Sequence, residues 1–210
     1  MADWVTISSL ATAGGTLVLA VATFTSVRSA NRAARVAEQA LLVGQRPLLM
    51  PSRLDDPEEK IMWGDEHWGH LRGGRAWVEY ADGILYLAMS LRNVANGTAV
   101  IQGWQVSTGP LSSAREMPGL EDFRPQGRDL YVPSRDIGFW QAAIRDANDP
   151  QYAAVRGAIV EPRIFRVSVL YSDHEGAQRA IAGFILAPGE ETHWICSVAR
   201  HWPVDAPNPR

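Results

Sequence analysis

The chain has 210 residues, 46% hydrophobic and 20% charged, enough for one domain with a sizeable core plus an appendage, and too apolar for disorder over most of its length. Charge is uneven: residues 1–46 carry four arginines against two acids, whereas the remainder carries 16 basic and 21 acidic groups. An acidic body excludes nucleic acid as the main partner, because phosphate binding needs a basic face, and the single cysteine, Cys196, excludes an intrachain disulfide and fits a reducing compartment.

Residues 4–27, WVTISSLATAGGTLVLAVATFTSV, contain no charge. A helix over this run is about 36 Å long at ~1.5 Å per residue, enough to cross the hydrocarbon core of a bilayer. Trp4 stands where an interfacial aromatic is favoured, and the recurring Thr and Ser hydroxyls can bond back to their own helix. A signal peptide would carry positive charge before the apolar run, but only Asp3 and the terminal amine precede it. Residues 1–27 are therefore expected to be a transmembrane helix, with the lipid bilayer as the partner of residues 4–27. Arg28, Arg32 and Arg35 follow directly, so the N-terminus is expected outside and the soluble body in the cytoplasm, giving a single-pass protein of the plasma membrane.

Residues 28–46, rich in Ala and Leu, predict a helical juxtamembrane linker that ends at the Gly44 and Pro47 stop signals. Val27, Ala30, Ala34, Ala37 and Leu41 recur at a/d spacing, and Ala11 and Gly15 stand four apart. Such a stripe either pairs with a second copy, making a homo-oligomer, or lies on the domain that follows.

Residues 47–202 predict the folded domain and residues 203–210 a loose tail. Prolines 47 and 51 make its opening extended. Residues 54–75 are polar and Gly-rich and predict a long loop. Asp82-Gly83 predicts a hairpin, and Asn96-Gly97 a second turn of the same kind, giving strands near 76–80, 84–92 and 99–107. Residues 108–128 predict a loop. DLYVP (129–133) predicts a short strand, IGFWQAAIRD (137–146) either strand or helix, and residues 149–161 a short helix with Asp149 as N-cap and Pro150 first. RIFRVSVLYS, AQRAIAGFILA and HWICSVARHW predict three more strands. Seven or eight short strands with no strand–helix rhythm predict a mainly β fold, an antiparallel sandwich (Ig-like or similar) behind a long N-terminal helix, with a partly open barrel as the alternative.

Few residues offer chemistry. His67 and His70 in WGDEHWGH (residues 63–70), with His174 in YSDHEGAQR (171–179), are the candidate metal ligands, but the flanking glycines argue against a shared helix face and no fourth ligand is fixed. Without it, the two tryptophans of the first loop are expected to pack on the body. YSDHEGAQR stands between two strand-like runs and predicts a hairpin tip with solvated charges and Gly176 at positive φ. His193 and His201 are expected on one face of one strand, with Trp194 and Trp202 on the other, as core or as an aromatic shelf. Cys196 is expected to be buried and inert. GxSxG, Walker, GxGxxG and CxxC motifs are absent from the sequence, and no cofactor is implied.

The apolar first helix, the continuation RSANRAARVAEQALLVGQRP (28–47), LRNVANG (91–97), RDLYVP (128–133) and YSDHEGAQR are similar to segments of a group of uncharacterised actinobacterial single-pass membrane-anchored proteins. The resemblance implies location and architecture. Its motifs carry no known activity, and no catalytic residue is carried over. The expected function is a membrane-tethered, non-enzymatic interaction or scaffold module facing the cytosol, with a protein partner. The alternatives are a metal- or small-molecule-binding enzyme using the His-containing loops, and a structural oligomer assembled through the N-terminal helix.

Overall fold

A computed structural model describes residues 4–110 and 116–205, with the side chains of residues 4–7, 10, 11, 39, 42 and 43 left aside. The chain forms two compact units, residues 1–44 and 45–210. The first contains one helix, α1 (Trp4–Gly44), continuous across the boundary expected at residue 27. Thr12 and Thr16 donate their hydroxyls to the carbonyls of Ser8 and Thr12 at 2.8 Å, satisfying inside the helix the polar groups that interrupt its apolar run. Among the described residues no helix is long and apolar enough to cross a membrane. Of the helix contacts expected from sequence, those of Trp4 and Ala11 lie outside the described side chains.

The second unit is mainly β. Its strands are β1 (Leu49–Pro51), β2 (Glu59–Met62), β3 (Trp68–Leu71), β4 (Arg75–Ala81), β5 (Ile84–Asn93), β6 (Ala99–Ser107), β7 (Arg124–Val132), β8 (Ile137–Ile144), β9 (Phe165–Ser172), β10 (Ala180–Glu190) and β11 (His193–Pro203), with helix α2 (Tyr152–Val160) between β8 and β9. Nine strands form one antiparallel sheet in the order β1-β5-β4-β11-β10-β9-β6-β7, with β8 also paired to β5. The seam between its two halves is short: only residues 193–195 of β11 pair with 75–77 of β4. Leu87 and Trp140 from one half share a core with Val106, Val169 and Phe184 from the other. The two stacked layers expected from the sequence are thus one sheet folded over its own core and hydrogen bonded across the seam.

Asp82 and Gly83 both take positive φ, 48° and 79°, as the predicted tight β4–β5 hairpin requires. The Asn96-Gly97 turn works differently. β6 pairs with β7 and β9, not with β5, so residues 94–98 carry the chain from one half of the sheet to the other. Gly97 is needed there for closeness: a Cβ would stand 1.7 Å from the Gln45 carbonyl oxygen.

The long loop expected over 54–75 contains a hairpin, β2–β3. Ile61, Trp63 and Leu71 pack on Tyr86 and Ala88, on the side of β5 away from the main core. β5 is therefore buried on both faces, which explains why ILYLAMSL lacks clean alternation. Trp63 packs on the body as expected, but Trp68 remains half exposed, with Lys60 Nζ 4.4 Å from its ring centroid.

β7 is longer than the five-residue strand expected, and the ambiguous 137–146 segment is strand β8. α2 starts later than predicted. Asp149 forms the turn before it, accepting the Gln151 N–H at 2.8 Å, and its first helical residue is Tyr152. Residues 111–115 of the expected 108–128 loop, and 206–210 of the tail, lie outside the described residues.

Candidate functional site

The three candidate histidines stand apart, each beside a different carboxylate. His67 follows the tight turn of the β2–β3 hairpin, where Glu66 takes φ 62°. Its ring stacks on Tyr86 at 4.0 Å, and Nε2 lies 2.8 Å from Glu79 Oε2. His70 Nδ1 lies 2.7 Å from Glu58 Oε1. His174 is at the exposed β9–β10 tip, with Glu175 3.9 Å away. Among the described residues no group of three or more His, Cys, Asp or Glu is placed to hold a metal.

The β9–β10 tip is a turn, with Gly176 at φ 77°. Its charges are not all solvated, contrary to expectation. Asp173 is buried because its Oδ1 accepts the Ala177 N–H at 2.9 Å, so the carboxylate organises the reversal from beneath. His174 and Glu175 are the exposed pair.

The faces of β11 also depart from expectation. Phe184 pairs with Val198 but Gly183 pairs with Arg200, leaving Ala199 as an extra residue. This bulge shifts the alternation by one position. Trp194 and Cys196 enter the core, while Trp202 pairs with Ile181 on the opposite face, its ring lying so close over Gly183 that a Cβ there would come within 3.1 Å. His201 turns to the core side, pairing with Ala182, and donates Nε2–H to the Leu49 carbonyl at 2.6 Å. No shared aromatic shelf forms, because the two tryptophans occupy different faces. Burial pushes the Cys196 thiol up to about 12, as expected for an inert cysteine.

Ionisable groups in the body respond to pH in opposite senses. Burial holds His201 and His193 below the ordinary 6.5. Both are neutral in the fold and bind protons more readily when unfolded, so their contribution is complete above pH 6.5 and is lost as pH falls through their lowered values. Hydrogen bonds from Arg92 and Arg179 hold Asp56 and Asp205 below 3.8, and their contribution fades only as pH falls below that value. Burial raises Glu59, whose charged form costs stability near neutrality, a cost relieved as pH falls through its raised value. The urea midpoint is therefore expected to decline in two stages between about pH 7 and pH 3, the histidines acting first. A midpoint that stays flat until the carboxylates titrate would show that the buried imidazoles contribute nothing.

A different set of residues, not marked by any sequence motif, encloses a cleft of about 590 Å³. It opens where β7 leaves the sheet. Ile101 of β6 pairs with Leu130, but Gly103 pairs with Pro125, so residues 126–129 arch away opposite the single residue Gln102. Pro125, Gln126 and Arg128 form one wall; Gln141 and Arg145, from β8 and just beyond it, form the other; Trp63 closes one end. Trp63 Nε1–H donates to the Ala142 carbonyl at 2.9 Å, and Gln141 Nε2 donates to the Met62 carbonyl at 3.0 Å, fixing the β2–β3 hairpin over the opening. Asp65 accepts the Tyr86 O–H at 2.8 Å and Arg145 Nη2–H at 3.1 Å; burial pulls its pKa upward, yet these donors together hold the carboxyl below its ordinary value.

No family model and no curated protein matches the chain. Among solved structures, a crystal structure of a protein from Archaeoglobus fulgidus matches at 10% identity over 62% of this chain and 93% of its own, with a TM-score of 0.22.

Proposed function

We propose that the chain is a membrane-tethered, non-enzymatic interaction module: α1 anchors it in the plasma membrane, the N-terminus lies outside, and the β domain meets a protein partner in the cytoplasm. The observation that carries the tether is the surface of α1. Leu17, Val18, Leu19, Val21 and Phe24 are all more than half exposed. At about 100° per residue they spread over roughly 220° of the helix circumference, wider than one packed face, which fits an enveloping apolar medium. No helix among the described residues is long and apolar enough for a span; the reading rests on the run 4–27 carrying no charge and being followed by Arg28, Arg32 and Arg35. Binding and not catalysis is favoured in the body because its cleft is lined by amides, guanidiniums and a carboxylate held ionised by its two donors, Tyr86 and Arg145, a poor general acid at neutral pH.

Topology is tested with Glu175→Cys, at an exposed hairpin tip. The native thiol of Cys196 is buried, so background labelling is small. In intact cells the new thiol is expected to resist a membrane-impermeant maleimide and to react after lysis. Labelling in intact cells would put the body outside and overturn the cytoplasmic partner.

The exposed stripe Val27, Ala30, Ala34, Ala37 and Leu41 favours a second reading, assembly of copies through α1. Ala34→Arg is then expected to lower the number of protomers per particle in detergent, read by light scattering. An unchanged number rejects the oligomer. The enzyme alternative relied on His67, His70 and His174 converging, and each has a separate carboxylate partner.

A further inference from the structure

We infer that one face of α1 seats an anionic phospholipid, its phosphate held by Arg28, Arg32 and Arg35 and its acyl chain lying along Leu17, Val21 and Phe24. The inference rests on α1 being the membrane anchor, and it names the class of lipid that the anchor recruits.

Helix geometry brings these residues together. At about 100° per residue, Arg28, Arg32 and Arg35 fall within about 60° of one another on the continuous helix, and the same line followed toward the N-terminus carries Leu17, Val21 and Phe24. The side chains form one stripe with two chemistries: an apolar half inside the uncharged run 4–27 and a basic half directly after it. All of them are exposed. Each half is about 10 Å long at ~1.5 Å per residue. A phospholipid beside a helix that leaves the bilayer presents itself in the same order, acyl chain first and phosphate next.

The basic half lacks a counter-charge. None of the three arginines forms an ion pair among the described residues. Glu38 is the one acid in residues 28–46; it stands a turn beyond Arg35 and is not paired with it. Phe24, Arg28, Asn31, Arg32 and Arg35 border a recess of about 430 Å³ on the helix surface. Asn31 adds a side-chain amide donor to the guanidiniums. Guanidinium forks match phosphate oxygens two at a time. A headgroup whose phosphate is not neutralised by a cation of its own gains most from three of them, so phosphatidylglycerol fits and phosphatidylcholine fits less well.

A free phosphate or an acidic protein segment is the less favoured occupant. Either would use the arginines alone and leave Leu17, Val21 and Phe24 without a role. The stripe Val27, Ala30, Ala34, Ala37 and Leu41 lies about 150° round the helix, so a lipid on one face does not compete with a second copy on the other.

The test uses the full chain reconstituted in vesicles of equal parts phosphatidylcholine and phosphatidylglycerol and extracted in mild detergent, the lipid that stays with the protein being identified by mass spectrometry. Phosphatidylglycerol is expected to be enriched at least about fivefold, what one arginine contributes beside an anionic surface. Arg28→Gln, Arg32→Gln and Arg35→Gln together are expected to remove the enrichment. Arg32→Ala combined with Ala33→Arg keeps the net charge but carries one guanidinium about 100° round the helix, and is expected to lower the enrichment several-fold. An unchanged enrichment there would mean that net charge and not the face recruits the lipid, which overturns the proposal. Excess inorganic phosphate is expected to leave the lipid in place; displacement would reveal a site for a soluble anion and overturn the acyl half. Anchor and lipid site fail separately. A chain stripped from pure phosphatidylcholine vesicles by alkaline carbonate overturns the anchor and the lipid site with it. A chain that stays inserted but retains the two lipids in the proportion of the vesicle overturns the lipid site alone.

Discussion

Asn93→Asp is expected to lower the stability of the β domain by about 3 kcal/mol or more, although it changes one side-chain nitrogen to oxygen. Asn93, at the end of β5, is fully buried. Its amide nitrogen donates to the carbonyls of Gly97 and, at 3.2 Å, Val132. Its amide oxygen accepts the N–H groups of Leu48 at 3.1 Å and Ala95 at 3.2 Å. One side chain thus ties together the entry to β1, the crossing from β5 to β6 and the end of β7. Aspartate keeps the two acceptor contacts but turns a carboxylate toward two carbonyl oxygens, stranding both and repelling its own charge from them. Asn93→Leu loses all four contacts and is expected to cost at least as much. Urea titrations followed by tryptophan fluorescence measure both, and an aspartate variant that unfolds at the wild-type midpoint would remove the hub from this account.

That residue also shows what the sequence makes legible. LRNVANG advertises a turn through Asn96-Gly97, and a turn is present. Nothing in the string says that Asn93 holds it, or that the chain passes there between two halves of a sheet. Strands 76–80, 84–92 and 99–107 can be placed from alternation and turn residues because local backbone preference and burial agree along them. The β2–β3 hairpin is hidden because its apolar side is only Ile61, Trp63 and Leu71, diluted by glycine and charge. The faces of His201 and Trp202 are illegible for another reason: an extra Ala199 inverts the alternation, and alanine carries no mark of being a bulge. The cleft is illegible because neutral amides acquire meaning only when their partners are fixed. Gln126 and Gln141 are fifteen residues apart on two strands that do not pair, and the backbone carbonyls that accept from their amide nitrogens fix how each side chain lies.

Trp140→Ala is expected to cost about 3–5 kcal/mol, whereas Trp140→Phe costs about 1 kcal/mol or less. Trp140 is completely buried on β8 and meets Trp104 of β6 edge to face, with ring centroids 5.7 Å apart. The contact runs from one half of the folded-over sheet to the other, so truncation to alanine leaves a cavity in the core that the two halves share. Phenylalanine behaves differently because Trp140 Nε1 has no hydrogen-bond partner among the described residues. The smaller ring gives up packing but also removes an unpaired buried donor, and the two effects oppose each other. Trp104 has a second neighbour, the Arg124 guanidinium 5.0 Å from its ring, which is itself paired with Asp149, and it lines the cleft. Trp140 therefore backs the aromatic wall of the site from inside the core. Denaturation midpoints for the two variants decide the matter: if phenylalanine is as damaging as alanine, the indole nitrogen has a partner and the balance of terms given for this core is wrong.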